Sequence, residues 1–294
     1  MSDDPPDPII ESLSAEMLAV FERNPVQLAF WPDDERAMPG DFIACALFTA
    51  SKVTKHVTRC KLASVRGLSV IFTGKRLTQV HADVWMGIMH IAREKSSGDV
   101  VRFRTRELLG LIGRHTHQAQ REQLKCWISE LASVQVLIQD DAKKRRFGGA
   151  LLPWQEEADQ EYFDVFHITI SHQLAELLAG NRHHQIDWPL RRALQKKPLA
   201  LWLQMFFARY GQPDRIVRVK HLHALSGSNA TLKKFRQNLG HALDELAAAG
   251  GYSAEIDRES DTVRNAVRPV PRVKRLVLNT QEDLFREPVR LVKP

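Results

Sequence analysis

The sequence predicts an α+β chain of two similar modules, with an N-terminal arm and a C-terminal tail. Three observations predict it. One order of elements (helix, short strand, helix, turn, longer helix, β-ribbon) is legible twice. Both longer helices carry an apolar stripe at i, i+3/i+4 spacing opposite a basic face. Proline and charge set off the two ends.

Residues 1–41 hold six prolines and ten acidic against two basic side chains. Apart from a short helical pattern at 13–21, this segment reads as an extended, weakly ordered arm, bounded at 1–39. The first module is placed at 40–185. Residues 68–74 alternate and read as a strand. Val84, Trp85, Ile88, Ile91 and Ala92 predict a helix over 82–94. A short strand at 100–105 leads into a helix at 106–113, with Thr105 as the expected cap. The longer helix spans 116–131 on Leu124, Trp127, Ile128 and Leu131. Strands at 134–140 and 162–170 follow, with 143–149 as the turn, and a short helix at 173–178 ends near Gly180.

The second module is placed at 186–265. Its elements are an apolar helix at 199–210, a strand at 215–220 and a short helix at 221–225. A turn at 227–229 offers Ser228 or Asn229 as cap to a long helix at 231–249. That helix buries Leu232, Phe235, Leu239, Ala242, Leu243 and Leu246 on one face. Gly250-Gly251 ends it, and a β-like segment follows. This twice-repeated order is that of a winged helix, so the expected fold is a tandem of winged-helix (helix-turn-helix) domains. Residues 266–294 form a basic tail.

The chain has 294 residues, is 44% hydrophobic and 26% charged, and holds no apolar run approaching the ~20 residues of a membrane span. That sets aside disordered, fibrous and membrane-spanning classes. The acidic start has no basic n-region, which argues against a secretory signal. Cys45, Cys60 and Cys126 stand far apart and read as small apolar side chains of a reduced, cytoplasmic chain. The net charge is +7, yet the first 41 residues alone carry an excess of eight acids. A basic body behind an acidic arm points to a polyanionic partner.

The chemistry sits on the longer helices. In a helix-turn-helix the N-terminal half of the second helix enters the major groove. In the second module this presents Asn229, Lys233, Lys234, Arg236 and Gln237. Asn and Gln pair with adenine, Arg and Lys with guanine or phosphate. The first module presents Arg114, His117, Gln118, Arg121 and Lys125. The turn residues Lys143, Lys144, Arg145 and Arg146 occupy the place of a wing that touches backbone or minor groove.

His115-x-His117 and His221-x-His223 have ligand-like spacing, without nearby Cys and without HExxH. His221-Leu222-His223 resembles the metal-binding pair of HUH-type tyrosine nickases. Tyr162, Tyr210 and Tyr252 are the available nucleophiles for that alternative, and none has a Tyr-x-x-Lys context. No GxxxxGK[ST] and no GxSxG occurs. The expectation is a non-enzyme without metal or cofactor. A winged-helix transcriptional repressor is the other alternative.

In the tail, Gln281, Asp283, Leu284 and Phe285 fit the Gln-x-[Ser/Asp]-Leu-Phe pattern by which bacterial proteins bind the replicative sliding clamp. Leu and Phe fill an apolar pocket while the Gln amide orients the peptide. A shortened version, Gln27-Leu28-Ala29-Phe30, lies in the arm.

A further set of residues carries a family resemblance: Trp31-Pro32-Asp33, Arg36-Ala37-Met38-Pro39, Ala46-Leu47-Phe48-Thr49 and Ile71-Phe72-Thr73-Gly74, then Gly227-Ser228-Asn229-Ala230-Thr231, Lys233-Lys234-Phe235-Arg236 and Asp244-Glu245-Leu246. Over about residues 25–265 the chain resembles the TrfA-type plasmid replication initiators. The resemblance implies a bacterial protein that binds direct repeats (iterons) in duplex origin DNA through Lys233, Lys234 and Arg236. It implies opening of an AT-rich region, with its single strand, and recruitment of the host initiator, the replicative helicase and the sliding clamp. It also implies interconversion of homodimer and monomer. The family's clamp peptide lies just before Trp-Pro-Asp. The shortened Gln27–Phe30 departs from it, and Gln281–Phe285 is expected to take over.

Overall fold

The computed structural model describes residues 25–267 apart from 53–54, 142–143, 153, 160–161, 180–181 and 214. The helix expected at 13–21, Lys143, and the tail residues Gln281, Asp283, Leu284 and Phe285 lie outside the described residues.

Residues 25–39, expected in a weakly ordered arm, are packed into the body. Trp31, Ala37 and Met38 are fully buried, and β1 (Glu35–Pro39) pairs along its whole length with a later strand. The prolines that suggested disorder flank this strand: Pro32 precedes it and Pro39 closes it, where the missing N–H costs least. A short helix α1 (Gly40–Ile43) and β2 (Phe48–Thr49) follow. Then come a hairpin of β3 (His56–Lys61) and β4 (Leu68–Lys75), and β5 (Leu77–Thr78), which pairs with β2.

Helix α2 (Gln79–Ile91) is buried on nearly every face, as befits a helix at the centre of a core. Trp85 meets Phe42 edge-on at 5.4 Å. Strand β6 (Val100–Arg104), helix α3 (Thr105–Leu111) and helix α4 (Gln118–Ser133) come next. Thr105 is the first helical residue and not the cap. Its buried hydroxyl hydrogen-bonds the Asp164 carboxylate, while Glu107 reaches back to the Arg104 amide at 3.5 Å.

The stretch expected as one turn at 143–149 is mostly strand. β7 (Gln135–Asp140) pairs with both β4 and β8 (Arg145–Gly149), so the connection is tighter and Arg145 and Arg146 are in the ladder. β9 (Trp154–Asp159), a polar segment with no apolar alternation to announce it, joins β10 (Tyr162–Thr169) and β6 in a second sheet. Helix α5 (His172–Leu178) and β11 (His183–Asp187), the partner of β1, close the first half.

The second half contains α6 (Trp188–Ala193), α7 (Pro198–Tyr210), a two-residue β12 (Val217–Arg218), α8 (Val219–Leu225), α9 (Leu232–Ala248) and the hairpin β13 (Ser253–Asp257) and β14 (Thr262–Val267). The expected strand at 215–220 shortens because α8 begins at Val219. The anticipated order is thus observed twice, as α2, β6, α3, α4 and as α7, β12, α8, α9. Two apolar clusters form, one mainly in each half, with Trp188 and Met205 joining the first and Ala50 the second. The second is built on Trp202, Phe206, Phe207, Phe235, Leu239 and Leu246.

The halves are locked together. Arg191 of α6 is buried against Asp83 of α2 and donates to Gln79 Oε1 (3.0 Å) and to the carbonyl of Leu201 (3.1 Å). Trp188 Nε1 donates to the carbonyl of Leu111 (2.9 Å).

Candidate nucleic-acid interface

Helix α9 carries four of the residues expected to meet DNA, Lys233, Lys234, Arg236 and Gln237. Thr231, not Ser228 or Asn229, caps it: its hydroxyl accepts the Lys234 amide at 3.3 Å. Phe235, Leu239, Ala242, Leu243 and Leu246 are buried as their spacing dictates. That commitment fixes the opposite face, so Lys233, Lys234, Arg236 and Gln237 are exposed, with Asn229 exposed just before them. Lys234 Nζ reaches Gln237 Oε1 at 3.3 Å.

Arg236 is not free. It donates from Nε (2.7 Å) and Nη2 (2.8 Å) to the carboxylate of Asp261 at the foot of β14. This exposed pair lowers the Asp261 carboxyl below its ordinary range and raises the Arg236 guanidinium, chiefly through the hydrogen bonds themselves. Asp261 adopts φ +52, and its carbonyl accepts the Val219 amide at 2.9 Å. One residue therefore ties the start of α8, the flank of α9 and the hairpin together. The only sequence signal for it was an acid after a Glu-Ser turn in a polar ribbon.

The α8–α9 turn is held from the first half. Thr49 Oγ1 donates to the carbonyl of Gly227 at 2.6 Å, and the Ala50 amide donates to that of Ser226 at 2.8 Å. Gly227 has φ +60, and a Cβ there would lie 2.9 Å from Thr49 Oγ1. The converse holds for the α3–α4 turn. Gln195, beyond α6, donates to the carbonyls of Ile112 (3.1 Å) and Gly113 (3.3 Å). Each half braces the turn that leads into the other's longer helix.

On α4, His117 and Gln118 are exposed at the N-terminus. The other three expected residues are partly engaged. Arg114 lies over the Trp127 ring at 5.1 Å. Arg121 approaches Asp164 at 3.9 Å, and Lys125 lies 3.8 Å from Glu122. Lys144 is exposed with φ +50 in the β7–β8 connection. Arg146 lines a cavity of about 190 Å³ together with Asp41, Asp140 and Glu176, so its charge faces acids of its own half.

The histidine pair separates. His223 Nε2 donates to the carbonyl of Ala230 at 2.8 Å and its ring packs on Phe235, whereas His221 lines a separate cleft. Among the described residues no group of three or more His, Cys, Asp or Glu is arranged to hold a metal ion. Of the two apolar side chains of the shortened arm peptide, Leu28 is buried, its amide donating to the carbonyl of Lys95 at 2.9 Å, and Phe30 is 63% exposed.

The family described as TrfA protein matches residues 17–263. The chain is 24% identical over 230 residues to the plasmid replication initiator protein TrfA of Escherichia coli, covering 76% of this chain and 59% of that protein. Among solved structures, domains 2 and 3 of RctB superpose with a TM-score of 0.52 at 10% identity, covering 76% of this chain and 94% of that one. A selenomethionine form of the same domains gives 0.50 at 10% identity, covering 70% and 85%. No helix among the described residues is long and apolar enough to cross a membrane.

Proposed function

The chain belongs to the TrfA family, and on that premise we propose that it initiates plasmid replication by binding duplex origin DNA, without catalysis of its own. In this reading the two halves act as tandem winged helices. The N-terminal half of α9 reads direct repeats in the major groove, and α4 positions the first half on the neighbouring backbone. The observation that carries the reading is the face of α9 opposite its apolar stripe, where Lys233, Lys234 and Gln237 stand exposed behind Asn229.

The rest of the proposed role is what the family resemblance suggests. Bound copies promote opening of the AT-rich region and gather the host initiator, the helicase and the sliding clamp in the bacterial cytoplasm, with the protein interconverting between homodimer and monomer. The clamp docks on Gln281, Asp283, Leu284 and Phe285. Burial of Leu28 supports this choice over the arm peptide, since a docking leucine must be free to enter its pocket.

Replacing Lys233, Lys234 and Arg236 by Ala tests the central claim. Affinity for a duplex carrying the origin repeats is expected to be lost, and unaltered affinity would end the reading. A plasmid carrying the gene with its upstream repeats is expected to replicate autonomously, which a repressor would not support. A covalent 5′-phosphotyrosine adduct on supercoiled origin DNA with Mn²⁺ would replace binding by catalysis. A peptide of residues 275–294 is expected to bind clamp protein, and Leu284→Ala with Phe285→Ala to abolish that binding.

A further inference from the structure

We propose that Lys52 and Lys196, assisted by Arg114, hold backbone phosphates of the bound duplex in the groove between the two halves. This rests on the duplex-binding reading above and extends it to residues outside either longer helix.

Two cavities, of about 420 and 430 Å³, run together along the junction and share Ser51, Lys52, Lys196 and Pro198. One reaches Arg114 in the α3–α4 turn. The other reaches Ser228 and Ala230 in the α8–α9 turn. The groove therefore connects the two turns that deliver α4 and α9. On the duplex-binding reading, a backbone that passes from one helix to the other crosses this connection.

The charge of the groove suits that path. Its two acids are already engaged: Asp83 is buried against Arg191, and Glu245 lies 3.6 Å from Lys197. Burial pushes the Asp83 carboxyl upward, opposed by the charges of Arg191 and then Arg114. Lys52 and Lys196 are exposed, and their charges have no counter-charge among the groove's described residues. Lys196 stands in the left-handed region with φ +69, in the connection between α6 and α7, where residue 195 braces the α3–α4 turn. An ammonium on such a fixed connection is a point charge for phosphate, reading no bases.

The test compares two double variants of the full chain, Lys52→Ala/Lys196→Ala and Lys233→Ala/Lys234→Ala, on a repeat duplex and an unrelated duplex of equal length across a salt series. For the groove variant, affinity for both duplexes is expected to fall by the same factor. The slope of log K against log salt should flatten by about 1.8, at about 0.9 per neutralised phosphate. Lys52→Arg/Lys196→Arg should restore the slope. An unchanged slope in the groove variant, while the α9 variant loses repeat binding, overturns the bridge and leaves the initiator reading standing. No loss in either variant overturns both.

Discussion

Arg236 and Asp261 form a two-pronged pair, at 2.7 and 2.8 Å, that fastens the β13–β14 hairpin to the flank of α9. A residue expected to meet DNA directly is thus held by an acid of its own module. Asp261→Ala releases both the hairpin and the guanidinium. With one more cation free for phosphate, the salt slope on unrelated duplex is expected to steepen by about 0.9. The ratio of repeat to unrelated affinity should fall. Anisotropy titrations on both duplexes read this, and an unchanged ratio would deny the pair any role in orientation.

Thr49 supplies a hydroxyl to a turn 178 residues away. Thr49→Val keeps the shape and removes the donor. The expected cost is about 1 kcal/mol of stability, with faster amide exchange confined to residues 226–231. Exchange that quickens across all of α9 instead would show that the contact holds the helix rather than its entry.

The Asp83–Arg191 pair is buried between the halves. Asp83→Leu alone strands a guanidinium and is expected to cost roughly 3–5 kcal/mol in chemical denaturation. Asp83→Leu with Arg191→Met removes both charges and should recover most of that loss. A double variant no better than the single would mean that the hydrogen bonds to Gln79 and Leu201, not the charge, hold the junction.

Two histidines make the fold sensitive to acid. Burial, then the charges of Arg36 and Arg93, hold His90 down to about 4 from an ordinary 6.5. Burial and Arg209 do the same to His184, also to about 4. Between these values the unfolded chain takes up protons that the folded chain refuses, so stability is full above pH 6.5 and is lost as pH falls toward 4. The thermal midpoint is expected to drop between pH 7 and pH 5, and to drop less in His90→Asn/His184→Asn. Equal drops would place the acid sensitivity elsewhere.

The long helices were legible in the sequence because burial leaves a period. Phe235, Leu239, Leu243 and Leu246 define α9 and, by exclusion, its outer face. The strands were less legible where pairing rather than burial defines them. β9 has no apolar alternation, and β3, an edge strand, is exposed along most of its length. Residues 25–39 were misread because composition is averaged over a window, whereas Trp31, Ala37 and Met38 act singly. At the candidate interface the exposed face of α9 was readable, but its long-range fastenings were not. Thr49 to Gly227, Gln195 to Ile112 and Arg236 to Asp261 join residues that no local pattern relates.

The crossed bracing of the two turns makes the halves poor candidates for separate life. Cutting the polypeptide near residue 186 would take Thr49 from one fragment's turn and Gln195 from the other's, so neither piece would present its reading helix as the intact molecule does. On the duplex-binding reading, half-molecules are therefore expected to bind DNA far less than half as well as the intact molecule.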